Sequence, residues 1–243
     1  MPVIANTLLH FTGSIETLKN ILEYNFFPQL SLEDYSFLGN KTNDIDYQLF
    51  IPMVCFCDIP LHLINKHMNT YGSYGLGLSK EWGKTNRLNP VFYIEPNSIL
   101  NEICQDILEK SVSNKGNFFS QAVQLMSYLK PYSGIDKINQ HKIFYEEKEW
   151  RYVPELLDEK HSRKWVLKIN SDENKINSLN NKLKEQPLVF TPTDIKYIFI
   201  ERESEREMVI DMIRGAKIPN YCDSDIKILC SKIISSEQIN DDI

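Results

Sequence analysis

The sequence lacks any apolar run long enough to cross a membrane. Its first residues, MPVIANTLLHF, do not combine a basic segment with an apolar one, so we expect no secretory signal peptide. The five cysteines are odd in number and irregularly spaced, in a chain of 243 residues that needs no disulfides to stabilise its core. These absences favour a cytoplasmic protein with reduced thiols.

The sequence also lacks an excess of positive charge. It has 27 basic and 33 acidic residues, a net charge of −6, and no cluster of Lys and Arg that could follow a phosphate backbone. Nucleic-acid binding is therefore disfavoured. Hydrophobic residues make up 42% and charged residues 25%, which is typical of a folded globular protein.

The first half of the chain alternates strand-like and helix-like patterns. Residues 7–11 and 50–57 are apolar enough for strands, and Ser14 stands where the N-cap of a helix would. Residues 28–48 are polar and aperiodic, which predicts an irregular segment. The stretch 71–83 is rich in glycine, and we interpret it as a loop that precedes a strand at 90–94.

The second half predicts further strands around polar helices. EKEWRYVP (147–154) indicates a strand, with 165–169 as its hairpin partner. KYIFIE (196–201), SEREMVIDMIRG (204–215) and IKILCSKI (226–233) indicate a strand, a helix and a strand. We therefore predict a single α+β domain over residues 1–243. Its mixed, partly antiparallel sheet is flanked by helices, and a β-α-β part at about 165–235 ends the chain.

The segment VCFCDIPLHLINKHMNTYGSYGLG (54–77) contains residue types that bind metals. Cys55, Cys57, His62 and His67 could form a Cys2His2 zinc site. On a helix, however, His62 and His67 would point roughly 140° apart. We therefore expect no metal and interpret the cysteines as packed core thiols. A Cys–His nucleophile pair lacks a third, orienting residue.

Glycines at 72, 75 and 77 could also indicate a phosphate-binding loop. Their order is G-x-x-G-x-G, which follows a helix and differs from the dinucleotide fingerprint, and there is no Walker lysine. Glycines around Tyr71 and Tyr74 suit a backbone that approaches something flat. This could be a ligand ring or a neighbouring side chain.

Three segments together resemble a known family. LLHFTG (8–13), MVCFCDIPL…H…YGSYGLGLSKEWG (53–83) and EEKEWRYVP (146–154) are similar to the AbiGi family of bacterial abortive-infection proteins, over about residues 7–155. The resemblance implies a role in defence against phage, as an antitoxin that regulates or neutralises a partner. That partner would be encoded nearby, as a nucleotidyltransferase-like toxin or a phage component.

A weaker resemblance is to ADP-ribosyltransferases of the His-Tyr-Glu type. It implies NAD as the cofactor, with His10 on the ribose, Tyr74 or Tyr71 stacked on nicotinamide, and Glu149 or Glu147 as the catalytic carboxylate. An oxocarbenium-like sugar would be stabilised by that carboxylate. The implied ligand-binding residues are His10, Thr12, Tyr71, Tyr74 and Arg151.

Each of these residues also has a purely structural interpretation. Glu149 and Arg151 share one face of their strand and could form an ion pair. His10, between Leu9 and Phe11, could be a core histidine with a backbone partner. The acidic run ERESERE (201–207) could bind a basic toxin or form the solvated first turns of a helix.

Overall fold

The computed structural model describes residues 5–39, 48–113, 117–135, 140–155, 166–167, 171–215 and 221–242. The strands there are β1 Thr7–Thr12, β2 Gln29–Asp34, β3 Gln48–Cys57, β4 Tyr74–Ser79, β5 Asn89–Pro90, β6 Phe92–Ile94, β7 Leu129–Pro131, β8 Ser133–Ile135, β9 His141–Ile143, β10 Glu149–Tyr152, β11 Val166–Leu167, β12 Ile195–Ile200 and β13 Ile233–Ser235. The α-helices are α1 Ile15–Tyr24, α2 Asn65–Tyr71, α3 Lys80–Thr85, α4 Ile99–Ser113, α5 Asn117–Met126, α6 Glu173–Leu183, α7 Arg206–Gly215, α8 Asp223–Cys230 and α9 Ser236–Asp242.

The strands form mixed, largely antiparallel sheets, and helices lie between the strands along the chain. The predicted α+β class is therefore confirmed. The backbone contacts divide the chain into two compact units. Unit 1 comprises Met1–Phe27, Cys55–Leu88 and Pro187–Ile243, and unit 2 comprises Pro28–Val54 and Asn89–Gln186. A single domain over residues 1–243 stays a prediction. Among the described helices, none combines the length and the apolar character that crossing a membrane requires.

In unit 1, β4 is a central strand rather than the predicted glycine-rich loop. It pairs antiparallel with β1 along six residues, and β12 pairs antiparallel with its other side. Gly75 lies opposite both Phe11 and Phe199, and a Cβ there would come within 2.1 Å of the His10 carbonyl oxygen, so the backbone of β1 leaves no room for a side chain at this position. The prediction was wrong because these glycines allow the flanking strands to approach closely instead of turning the chain. A Cβ at Gly77 would come within 3.0 Å of side-chain atoms of Leu9 and Tyr197.

Both faces of the unit 1 sheet are packed. Because β-strand side chains alternate between faces, Leu9 and Phe11 lie opposite to Leu8 and His10. On the Leu9 face, a cluster of buried residues comprises Leu9, Cys57, Ile59, Ile64, Met68, Phe199 and Ile239. On the other face, the rings of Phe26, Phe56, Trp82 and Phe190 pack against one another. Helix α1 begins as predicted, with the Ser14 side chain accepting the Thr17 N–H.

The β-α-β end of the chain is present, but its last strand is displaced from the prediction. β12 and β13 are parallel, and α7 and α8 lie between them in sequence. Most of IKILCSKI belongs to α8, and β13 begins at Ile233. The apolar residues Ile226, Leu229 and Cys230 are spaced i, i+3, i+4, which fits one helix face, and Leu229 is fully buried.

In unit 2, two strands differ from the predictions. Residues 29–34 form β2, antiparallel to β3, where an irregular segment was predicted, while 40–47 lie outside the described residues. Leu30 and Leu32 gave the period-two signal. β11 pairs with β3 and not with the predicted hairpin partner β10, which pairs with β5. β6 and β7 are parallel, and β8 and β9 are antiparallel.

Candidate functional site

The residues singled out from the sequence are divided between the two units. His10, Thr12, Tyr71 and Tyr74 belong to unit 1, whereas Glu147, Glu149 and Arg151 belong to unit 2. Each group has its own set of polar contacts, and each is described within its unit.

His10 occupies the middle of β1 as a packed histidine. Its Nδ1 lies 2.8 Å from the carbonyl oxygen of Cys55, and its ring centroid lies 5.0 Å from Phe26 and 5.6 Å from Phe56. Burial lowers the pKa of His10, and the hydrogen bond with the Cys55 carbonyl partly opposes this. The ring is therefore neutral at pH 7, with Nδ1–H donating to that carbonyl.

Tyr74 shares a sheet face with His10, because Thr12 lies opposite Tyr74 and His10 lies opposite Leu76. The side chain is buried, and its hydroxyl lies 2.8 Å from Oε1 of Glu205 and 3.2 Å from Oε2 of Glu201. Burial and hydrogen bonds to these two carboxylates raise the pKa of Tyr74. The phenol therefore stays protonated and donates its one proton to this acidic pair.

Thr12 and Tyr71 adjoin a glycine that the backbone requires. Gly72 ends α2 with φ 111°, and a Cβ there would come within 2.2 Å of the Thr12 carbonyl oxygen. Tyr71 is 42% exposed, and its ring centroid lies 4.5 Å from that of His67. Of the two tyrosines proposed to stack on a ligand, Tyr71 therefore has the exposed ring, and Tyr74 the buried one.

A cavity of about 330 Å³ opens in unit 1, on the face of β1 opposite to the His10 side chain. It is lined by Ala5, Asn6, Thr7, Leu9, Ile59, Pro60, Leu61 and Tyr197. Because alternate residues of a strand point to opposite faces, Leu9 lines this cavity while His10 points away from it. His10, Thr12 and Tyr74 are not among its lining residues.

In unit 2, Arg151 lies at the centre of a buried ion network and is 1% exposed. Its Nε donates to Oε1 of Glu149 at 2.7 Å, and its Nη2 to Oε2 of Glu33 at 3.0 Å. Its Nη1 donates to the carbonyl oxygen of Ser127 at 2.7 Å. The structural interpretation of Glu149 and Arg151 as an ion pair is therefore confirmed.

Two lysines complete this network. Lys130 Nζ lies 2.5 Å from Oε2 of Glu147 and 2.8 Å from Oε2 of Glu149, and Lys142 Nζ lies 2.7 Å from Oε1 of Glu147. Burial alone would raise the pKa of Glu149, but the charges of Arg151 and Lys130 lower it below its ordinary value. Likewise the two carboxylates raise the pKa of Lys130 against the opposing effect of burial. Glu149 is thus a weakly basic carboxylate that its neighbours neutralise.

The potential metal ligands of the described residues do not form a cluster. Within the described residues, no group of three or more His, Cys, Asp or Glu side chains could hold a metal ion. Cys57 belongs to the buried apolar cluster of unit 1, and Cys55 is partly buried on the same strand.

Comparison with known proteins identifies the family. The family model described as "Putative abortive phage resistance protein AbiGi, antitoxin" matches residues 24–201, well over half of the chain. The chain belongs to the AbiGi family. It is also 28% identical over 250 residues to the Abortive phage resistance protein AbiGi of Lactococcus lactis subsp. cremoris, covering 89% of this chain and 99% of that protein. No solved structure matches it significantly.

The AbiGi resemblance expected from the sequence is thereby confirmed, whereas the resemblance to ADP-ribosyltransferases stays a prediction. In this AbiGi chain, the run YGSYGLGLSKEWG comprises the end of α2, all of β4 and most of α3. EEKEWRYVP contains β10 with two of the carboxylates of the buried network. These runs therefore contribute strongly to the packing of each unit.

Several partners of the named residues were missed in the sequence. Glu201 and Glu205 lie 127 and 131 residues from Tyr74, and no local pattern connects them. Lys130 and Glu33 reach Glu149 and Arg151 from other strands. Glu205 also accepts the backbone N–H groups of Glu201 and Arg202, as expected of a carboxylate at the start of a helix.

Proposed function

We propose that this AbiGi chain is the antitoxin of an abortive-infection pair, which binds a toxin encoded by a neighbouring gene and restrains it. The family description supports the antitoxin role, and the name of the Lactococcus relative supports the role in abortive phage resistance. A protein that restrains a toxin inside a bacterium would act in the cytoplasm, where both chains are made.

The burial and the hydrogen bonds of Glu149 favour a binding protein over a transferase. A transferase would need a carboxylate that faces the sugar cation, but Glu149 is 7% exposed and bonded to both Arg151 and Lys130. Its negative charge is already matched by buried cations, which it would have to leave to act on a ligand. A role in stabilising unit 2 accounts for all of these contacts.

The polar contacts of unit 1 point the same way. The Tyr74 hydroxyl bonds with Glu201 and Glu205, and the His10 Nδ1 bonds with a main-chain carbonyl. Each of these polar groups is engaged inside the protein. We therefore infer that the function depends on the outer surface, through which a partner protein is recognised.

Separate and joint expression would test this function. Each gene adjacent to the one that encodes this chain is induced alone and together with it, and growth is followed. We expect one neighbour to arrest growth alone, and joint expression to restore growth, with the tagged chain retaining the neighbour's product. If this chain alone arrests growth and the neighbour protects, the antitoxin assignment is wrong.

An assay of NAD consumption tests the alternative transferase function independently. The purified chain, alone and with the neighbour's product, is incubated with NAD, and released nicotinamide is measured. We expect no release above a buffer blank. Release that is abolished in Glu149→Gln but kept in the surface variant Glu146→Gln would instead support a transferase.

A further inference from the structure

A group of three tyrosine side chains, two of them exposed, lies on unit 2. The rings of Tyr132 and Tyr145 stack with centroids 5.7 Å apart and planes 25° apart, and they are 40% and 52% exposed. Tyr93 meets Tyr145 edge-on, with centroids 5.4 Å apart. We call Tyr93, Tyr132 and Tyr145 the tyrosine patch.

Each residue of the tyrosine patch takes part in a hydrogen bond with a neighbouring segment. The N–H of Tyr132 donates to the carbonyl of Ile94 at 2.7 Å, and that of Tyr145 donates to the carbonyl of Tyr132 at 3.2 Å. The N–H of Glu149 donates to Oη of Tyr93 at 2.8 Å. The backbone that carries Tyr132 and Tyr145, and the hydroxyl of Tyr93, are therefore held in place before any partner arrives, which lowers the entropy lost on binding.

The buried ion network lies directly behind this patch. Tyr93 is opposite Lys130 in the pairing of β6 with β7, and Lys130 Nζ lies 5.0 Å from the centroid of the Phe144 ring. The same ammonium bonds to Glu147 and Glu149, which flank Lys148 in the sequence. The network thus ties β7, which ends just before Tyr132, to the turn at Phe144–Glu147 that carries Tyr145, and it gives Glu149 a supporting role.

The charged residues that adjoin the tyrosine patch in the sequence indicate what it would bind. Glu146 is exposed and follows Tyr145, and Glu95 is exposed and follows Ile94, which accepts the Tyr132 N–H. The faces of aromatic rings attract cations, and nearby carboxylates add to that attraction. The ammonium groups of Lys130 and Lys142 are bonded to the buried carboxylates of Glu147 and Glu149.

We propose that the tyrosine patch is the docking site for an arginine or lysine side chain of a partner protein. This inference rests on the proposed antitoxin function and assigns to the toxin a basic contact face. Tyrosine and arginine are both frequent among the residues that dominate binding energy at protein interfaces. The net charge of −6 on the chain would also speed the approach of a basic partner.

Substitution of the two exposed rings tests the site against the product of the neighbouring gene. Affinity is measured for the wild type, for Tyr132→Ala/Tyr145→Ala and for the matched control Tyr24→Ala, whose ring is 55% exposed on unit 1. We expect the double variant to bind at least about tenfold more weakly and the control to stay within about twofold. Thermal unfolding of each variant verifies that it is folded.

Conservative variants separate the chemistry of the rings from their shape. Tyr145→Phe keeps the ring face and should keep the affinity. Glu95→Gln/Glu146→Gln should slow association and weaken its dependence on salt. If the wild type binds the neighbour's product and the double alanine variant binds it equally well, the docking proposal is overturned while the antitoxin assignment stands.

A second probe makes the test independent of that neighbour. The full chain is titrated with hexa-arginine, hexa-glutamate and a single-stranded oligonucleotide. We expect hexa-arginine to bind and its affinity to fall severalfold in Tyr132→Ala/Tyr145→Ala. Equal binding of hexa-arginine to both proteins overturns the proposal, as does tyrosine-dependent binding of the oligonucleotide. Failure of the neighbour to bind, with hexa-arginine bound as expected, counts against the antitoxin function instead.

Discussion

Arg151 and Glu149 lie two residues apart on β10, and the guanidinium Nε of the first donates to Oε1 of the second at 2.7 Å. Arg151 is 1% exposed and Glu149 is 7% exposed. In such an environment, an ion pair stabilises the folded protein little more than an apolar pair would. Removing one of the two residues, however, leaves the other as a buried charge without compensation. Glu149 and Arg151 therefore form a buried, hydrogen-bonded ion pair.

Arg151→Met should strongly destabilise the protein. The methionine fills part of the space, but Glu149 and Glu33 lose a guanidinium that donates to both of them. Breaking a buried pair in this way costs about 3–5 kcal/mol. Urea unfolding of the full chain measures this loss as a lower transition midpoint.

Arg214→Ala is the matched surface control for that experiment. Arg214 is largely exposed on α7, and its Nη1 lies 4.0 Å from Oδ1 of Asp211. Exposed pairs of this kind contribute up to about 1 kcal/mol. Equal urea midpoints for Arg151→Met and Arg214→Ala would show that the buried network contributes no more to stability than an exposed ion pair does.

The lowered pKa of Glu149 predicts a loss of stability in acid. Its pKa in the folded protein lies below the value of about 4.3 in an unfolded chain, so the unfolded state binds the proton first as the pH falls. The stabilising contribution is complete above this value and declines below it. Between about pH 4.5 and 3, the wild type should lose about 1.5 kcal/mol more than Glu149→Gln.

Urea unfolding at a series of pH values measures this difference. Glu149→Gln should be less stable than the wild type at pH 7, because Arg151 and Lys130 keep their charges without this carboxylate. Glu146→Gln, at an exposed position nearby, is measured alongside as the matched substitution of a glutamate outside this buried network. A Glu149→Gln curve parallel to that of the wild type would contradict the assignment.

Local signals in the sequence were sufficient for much of the fold. The N-cap at Ser14, the strand before Asp58 and the β-α-β end were each predictable from a cap, a run or a period. β4 was not predicted, because Gly75 was interpreted as a turn former, whereas it lies within a strand where the backbone of β1 approaches too closely for a side chain. That role depends on strand pairing, which a single sequence does not specify.

The site was predictable only where its members are close in sequence. The pairing of Glu149 with Arg151 followed from their spacing on one strand. Lys130, Glu33 and the carboxylates beside Tyr74 come from distant segments and are brought in by tertiary packing. The tyrosine patch was overlooked too, although the aromatic residues between 128 and 152 were a detectable signal.

Gly72→Ala should destabilise unit 1 although it adds only one methyl group. Gly72 has φ 111°, which L residues rarely adopt, and the new Cβ would come within 2.2 Å of the Thr12 carbonyl oxygen. Backbone strain of this kind costs about 1–3 kcal/mol, and relief of the contact adds to it. Thermal unfolding gives the measurement.

Gly215→Ala is the matched control for this glycine. A Cβ at Gly215, the last residue of α7, would have no heavy atom within 4 Å. Since alanine favours helix more than glycine, this variant should match or slightly exceed the wild type in stability. If both glycine variants unfold at the wild-type temperature, Gly72 is not required by the backbone.

Tyr74→Phe should reveal how strongly the hydroxyl binds its acidic pair. The hydroxyl is closer to Glu205 than to Glu201, at 2.8 Å against 3.2 Å, and a hydrogen bond to a charged group contributes about 1.5–3 kcal/mol. The exposed Tyr24→Phe should change stability by less than about 0.5 kcal/mol. Double-mutant cycles with Glu205→Gln and Glu201→Gln then divide the interaction between the two carboxylates. We expect the larger coupling for Glu205, and a coupling near zero for both would mean that the hydroxyl bonds to neither.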